Sequence, residues 1–163
     1  MRRIYIILIL VLALTMVLTP SAFGAEDQAA VRALLFFSPT CPHCHTVINE
    51  VLPPLHDQYG DQLRIALIDV TSESGRNLYY AAVNELPILE NQLGVPALVV
   101  GETLLIGSYD IPAQLPGIIE AGLAEGGIDW PAISGADAVG AQIDAKFAVA
   151  ATEADIDTVA EEQ

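Results

Sequence analysis

Apolar residues occur along this chain in two patterns, short unbroken runs and longer stretches spaced at three and four positions. Val31 to Phe37 is a short apolar run rich in strand-favouring residues and ends at the turn signal Ser38-Pro39-Thr40, which predicts a buried strand. From Cys41 onward, Val47, Ile48, Val51, Leu52, Leu55 and Tyr59 recur at helical spacing. Pro53 and Pro54 fall inside that pattern, and each removes an amide donor, so a kink rather than a stop is expected there. Leu63 to Val70 is again nearly continuous, as suits a strand covered on both faces. Ser72 to Leu86 predicts a helix with Leu78, Ala81, Ala82 and Leu86 on one side. Pro87 to Leu93 adds a further turn or two, and Gly94 fits the helix-ending position. Ala97 to Val100 and Thr103 to Ile106 flank Gly101-Glu102, a loop with glycine first that suits a type II′ hairpin. Pro112 to Glu125 reads as a last helix, with Leu115, Ile118, Ile119 and Leu123 inward and Gly126-Gly127 ending it.

The order is therefore βαβαββα. Strands joined through a helix become parallel neighbours by the right-handed crossover, and the hairpin adds an antiparallel edge. This predicts an α/β domain over residues 28–127, with a mixed central sheet flanked by helices. Residues 128–163 form an acidic, alanine-rich extension, partly helical or disordered. In it Trp130, the only tryptophan, is expected to pack against the domain, and Val139, Ile143 and Phe147 could form one helical stripe. A frayed tail is expected from about Thr152.

The first residues change the picture of where the chain works. Met1-Arg2-Arg3 is positive, Ile4 to Leu18 is apolar, and Pro20 to Gly24 is small and turn-prone, the layout of a secretory signal. The apolar run is shorter than the about 20 residues a spanning helix needs. Cleavage of residues 1–24 after Gly24 is expected, the alternative being an uncleaved N-terminal membrane anchor. Either way the rest of the chain is exported, to a periplasmic or other extracytoplasmic compartment. Loss of Arg2 and Arg3 leaves Arg32, Arg64, Arg76 and Lys146 against 21 acidic residues. Such a charge repels phosphate backbones and anionic lipids, which argues against nucleic acid as a partner and against membrane contact beyond the N-terminal segment.

There are two cysteines, Cys41 and Cys44. A structural disulfide in an exported protein gains most by closing a long loop, and this pair closes almost none. Its purpose is expected to be chemical. Cys41 falls where the first strand hands over to a helix, near unpaired amides and the positive end of the helix dipole. His43 adds a donor or a positive charge, and Pro42 at the first helical turn costs no needed hydrogen bond. Together they are expected to lower the Cys41 pKa and favour its thiolate. Because that preference stabilises the reduced state, it makes the disulfide a stronger oxidant. Cys44, one turn deeper, would be the resolving thiol.

The segment Phe36-Phe37-Ser38-Pro39-Thr40-Cys41-Pro42-His43-Cys44-His45 resembles the active-site segment of the thioredoxin superfamily, and its Pro-His dipeptide is similar to that of DsbA-type disulfide oxidoreductases. Gly94-Val95-Pro96 resembles the family's loop before its cis-proline. The resemblance covers roughly residues 30–125 and implies a minimal thioredoxin-like fold, lacking the first strand and helix of full thioredoxin. It also implies that Val95 and Pro96 sit beside Cys41 and offer backbone hydrogen bonds to a substrate peptide. One departure is Leu35, which stands six residues before Cys41 where many thioredoxins carry a buried acid. Gly127-Ile128-Asp129-Trp130-Pro131 is similar to exported thioredoxin-like domains associated with bacterial vitamin K epoxide reductase homologues.

The expected activity is protein-disulfide exchange with exported cysteine-containing proteins, oxidation being favoured over reduction. No dissociable cofactor is needed, since the dithiol carries the two electrons, but a membrane redox partner is. Two other uses of the same residues remain. Cys41-x-x-Cys44-His45 matches the c-type haem attachment motif, although Met1 and Met16, the only methionines, lie in the signal and leave no methionine as a sixth ligand. Two thiolates with His45 or His56 could hold zinc or copper, although ligands from one helical segment rarely converge tetrahedrally. Asp69, near a strand end, could assist proton transfer or simply open a loop.

Overall fold

A computed structural model describes residues 29–86 and 93–145. Four strands form one sheet: β1 (Val31–Phe37), β2 (Leu63–Asp69), β3 (Ala97–Val100) and β4 (Thr103–Ile106), in the order β2-β1-β3-β4. β1 is parallel to β2, with Val31 opposite Leu63 and Phe37 opposite Asp69; β3 is antiparallel to both β1 and β4. The protein is thus α/β, with a mixed sheet whose central strand explains the apolar run: Val31 to Phe36 are all buried, Arg32 among them. Alternate side chains serve opposite faces. Val31, Ala33 and Leu35 pack under one helical layer with Val47, Leu55, Ile111, Leu115 and Ile119, while Leu34 and Phe36 pack under the other with Leu78, Ala82, Ile133 and Ala136.

The helix after β1 runs as α1 (Pro42–Thr46), a π-helical turn (Val47–Val51) and α2 (Leu52–Tyr59). The irregularity expected at Pro53-Pro54 takes this form: the Leu52 N–H bonds to the Val47 carbonyl, five residues back, and the prolines fall in the first turn of α2 where their missing donors cost least. α3 (Glu73–Glu85) begins at Ser72, whose hydroxyl accepts the Gly75 N–H at 3.0 Å. The further turn expected over 87–93 falls, except for Leu93, outside the described residues, as do the segment expected to be a signal and Phe147. Gly101 has φ 55° while Glu102 does not take positive φ, which suits the first central position of a type II′ loop.

The last helix of the sequence reading starts earlier than Pro112. α4 (Gly107–Ala124) carries Pro112 and Pro116 inside it. Ile111 lies four residues before Leu115 and eight before Ile119, and all three are fully buried. Extending the apolar stripe by one turn therefore offsets the two amide donors lost at the prolines.

Packing continues past Gly127. Ile128 bridges to Val31, its N–H bonding to the Ala30 carbonyl at 2.9 Å and its carbonyl accepting from Arg32 N at 2.9 Å. Ile133 and Ala136 then enter the second face, and helical residues 136–145, α5, lay Val139 and Ile143 against it. The half-buried Asp144 pins α5 to the sheet by accepting from Trp130 Nε1 at 2.9 Å and pairing with Arg64 of β2 and, at 3.5 Å, Arg32 of β1. Burial works against its charge, but the indole and the two guanidiniums outweigh it, so the Asp144 carboxyl is held below its ordinary 3.8.

Candidate functional site

Cys41 caps the N-terminus of α1 in extended backbone, φ −88° and ψ 114°. Its sulfur accepts the Cys44 N–H at 3.4 Å, an amide of the first helical turn that also bonds the Cys41 carbonyl at 3.1 Å. The two cysteines come within 2.9 Å of each other and are free thiols. They are unequal. Cys41 is partly exposed, whereas Cys44 has no accessible surface. Burial, reinforced by the hydrogen bond to Cys41, pushes the Cys44 thiol from 9.0 up to about 11.

A second segment meets the pair from the far end of the sequence. Phe36 of β1 lies opposite Ala97 of β3, so the loop leaving β1 and the loop entering β3 emerge side by side. The Cys41 thiol donates to the Val95 carbonyl at 3.6 Å. The Val95–Pro96 peptide is cis, and Pro96 is buried. Tyr79 of α3 braces this loop, its hydroxyl accepting the Gly94 N–H at 3.0 Å and lying 3.3 Å from the Gly94 carbonyl.

Pro42 and His43 are exposed on the first turn of α1. The His43 ring reaches a third segment that motif reading did not single out: its Nδ1 lies 3.1 Å from Ser108 Oγ, at the start of α4. The neighbouring Gly107 N–H donates to the Pro96 carbonyl at 2.8 Å. Contacts therefore close a ring from Cys41 through Val95, Pro96, Gly107, Ser108 and His43 back to Cys44. Ser108 carries no signal in the sequence, because only the β3–β4 hairpin brings residue 108 back beside residue 43.

Other candidates lie elsewhere. His45 Nε2 donates to the Pro39 carbonyl at 2.7 Å, so the nitrogen that would face a haem iron already carries a proton engaged in a turn. His56 lines an apolar groove with Ile48, Leu52 and Leu67 on the β2 side of the fold, apart from the cysteines. Among the described residues no group of three or more His, Cys, Asp or Glu side chains could hold a metal ion, and no helix is long and apolar enough to cross a membrane. Leu35 is fully buried in the apolar core. The Asp69 carboxylate accepts from the Thr71 amide at 2.8 Å and its hydroxyl at 2.7 Å, which is the bonding of a residue that opens a loop.

No family model matches the chain. No curated protein matches it either. A solved structure titled "Structure of a malarial protein" aligns over 54% of this chain and 96% of its own length, with 18% identity and a TM-score of 0.37, a likeness too distant to carry an argument.

Proposed function

We propose that this chain is an exported thiol–disulfide oxidoreductase of minimal thioredoxin-like fold, acting through Cys41 and Cys44. The observation that carries the reading is the inequality of two adjacent thiols: an accessible one at a helix start and a buried one, held protonated, directly behind it. A nucleophile needs access, and a resolving thiol must wait until the first sulfur is engaged.

The exchange is reversible. In one direction Cys41, as thiolate, attacks a substrate disulfide and forms a mixed disulfide; the departing substrate sulfur takes up a proton. Cys44 then loses its proton and attacks Cys41 Sγ, releasing the second substrate thiol. The protein ends with one disulfide, the substrate with two thiols, and two electrons have passed between them. In reverse, the Cys41–Cys44 disulfide oxidises a substrate dithiol by the same intermediates. We favour this oxidising direction, since His43 beside the pair can stabilise the reduced form. A substrate peptide would lie along the Val95-Pro96 backbone, with Pro42 and His43 on the opposite rim. Exported cysteine-containing proteins are the substrates, and a membrane protein presenting its own disulfide or dithiol resets the pair.

The test is a glutathione redox titration together with trapping. Cys44→Ser should accumulate a mixed disulfide through Cys41, visible as a mass increase removed by dithiothreitol, whereas Cys41→Ser should not. If neither variant traps and the wild type fails to equilibrate with glutathione, the reading is wrong. A potential near the about −270 mV of thioredoxin would remove the oxidising preference alone.

A further inference from the structure

We propose that Ser108 is a positioning residue for His43 and that, through His43, it sets how strongly the Cys41–Cys44 pair oxidises; the inference rests on the oxidoreductase reading. The Ser108 hydroxyl provides the one hydrogen bond that the His43 ring makes among the described residues, across 65 positions of sequence. Without it an exposed histidine on a first helical turn samples several rotamers. Ser108 itself is well held. Gly107 N–H is tied to the Pro96 carbonyl, and three residues further on Ile111 is buried in the core with no accessible surface. The serine thus refers the histidine to the same loop that carries Val95.

The chemistry of the contact gives it a direction. Whichever tautomer the ring takes, the Ser108 hydroxyl can pair with Nδ1, accepting from an N–H or donating to a bare nitrogen, and so it fixes the ring. A ring held in place on the turn between the two cysteines can offer an N–H donor to an anionic sulfur, which exists only in the dithiol state. Removing the hydroxyl therefore weakens the reduced state relative to the disulfide and makes the pair less oxidising.

The experiment measures the glutathione equilibrium constant of the full chain for wild type, Ser108→Ala, Ser108→Thr, His43→Ala and the Ser108→Ala/His43→Ala double variant. Ser108→Ala should shift the constant toward the disulfide by about three- to fivefold, the effect of one hydrogen bond. Ser108→Thr, which keeps the hydroxyl, should stay close to wild type. The double variant should match His43→Ala. A shift below about twofold in Ser108→Ala, or the same shift in the His43→Ala background, overturns the role of Ser108 while leaving the exchange reaction intact. A wild-type chain that does not equilibrate with glutathione at all overturns both.

Discussion

The Cys41 sulfur and the Val95 carbonyl oxygen lie 3.6 Å apart although 54 positions separate the residues in sequence. The antiparallel pairing of Phe36 with Ala97 is the cause, because it starts one loop where the other ends. Cys41 is covered on one side by this loop and open on the other. Cys44 is closed on all sides.

Alkylation should report that difference. With the Cys44 thiol near 11, roughly one molecule in ten thousand carries its thiolate at pH 7. Iodoacetamide added to the reduced native chain should modify Cys41 and leave Cys44 intact, and denaturation should expose both. Peptide mass mapping checks this; equal labelling of the two native thiols would contradict the geometry.

The same thiol gives the reduced protein a pH dependence at the alkaline end. Its folded pKa is raised mainly by burial, so above the unfolded value near 9.0 the unfolded chain gives up a proton that the folded chain keeps. The stability is fully present below about 9 and is lost as pH rises through about 11. Urea midpoints of the reduced chain should fall across that window. The oxidised chain, which has no Cys44 thiol to titrate, should lack this component of the fall.

Much of this architecture is legible in the chain itself. β1 and β3 announce themselves by apolar runs, interrupted only by Arg32 in β1, because a strand covered on both faces has no polar side. Cys41-Pro42-His43-Cys44 is legible because its residue types and spacing leave little structural use for the pair. The start of α4 is not, since Pro112 has the form of a helix opening and the buried Ile111 that overrides it is apparent only in three dimensions. Ser108 is invisible for a related reason: a serine between a glycine and a tyrosine looks like any turn residue until the hairpin sets it beside His43. Likewise nothing in the strand sequences marks what Arg32 and Arg64 pair with, so their pairing with Asp144 waits on the position of α5.

That pairing should govern the acid end. Burial favours the neutral Asp144 carboxyl, but hydrogen bonds from Trp130 and Arg64 and the charges of Arg32 and Arg64 prevail, so its folded pKa lies below 3.8. A depressed carboxylate contributes stability that is present above its unfolded pKa and is lost as pH falls through the folded one. Asp144→Asn should cost roughly 1–2 kcal/mol at pH 7, the scale of hydrogen bonds to a charged group. The gap from wild type should shrink as the medium is acidified below 3.8. Urea unfolding followed by the fluorescence of Trp130, the sole tryptophan, measures both.

Two glycines inside helices should respond to alanine with opposite signs. Gly117 lies in α4 with open space where a Cβ would go, so Gly117→Ala should stabilise by about 0.5–1 kcal/mol through the better helix propensity of alanine. Gly75 lies in the first turn of α3, and a Cβ there would collide with the backbone carbonyl of Asp69, which cannot rotate aside as a side chain would. That carbonyl also accepts the Ser72 hydroxyl at 2.7 Å and the Ser72 amide at 3.2 Å, so moving it would disturb the cap that starts the helix. Gly75→Ala should therefore destabilise by about 1–3 kcal/mol, the usual cost of overpacking a tight contact. Urea denaturation of the two variants, read against wild type, tests the contrast. Equal stabilisation by both would mean that α3 does not approach the end of β2 as closely as the Asp69–Gly75 contact requires.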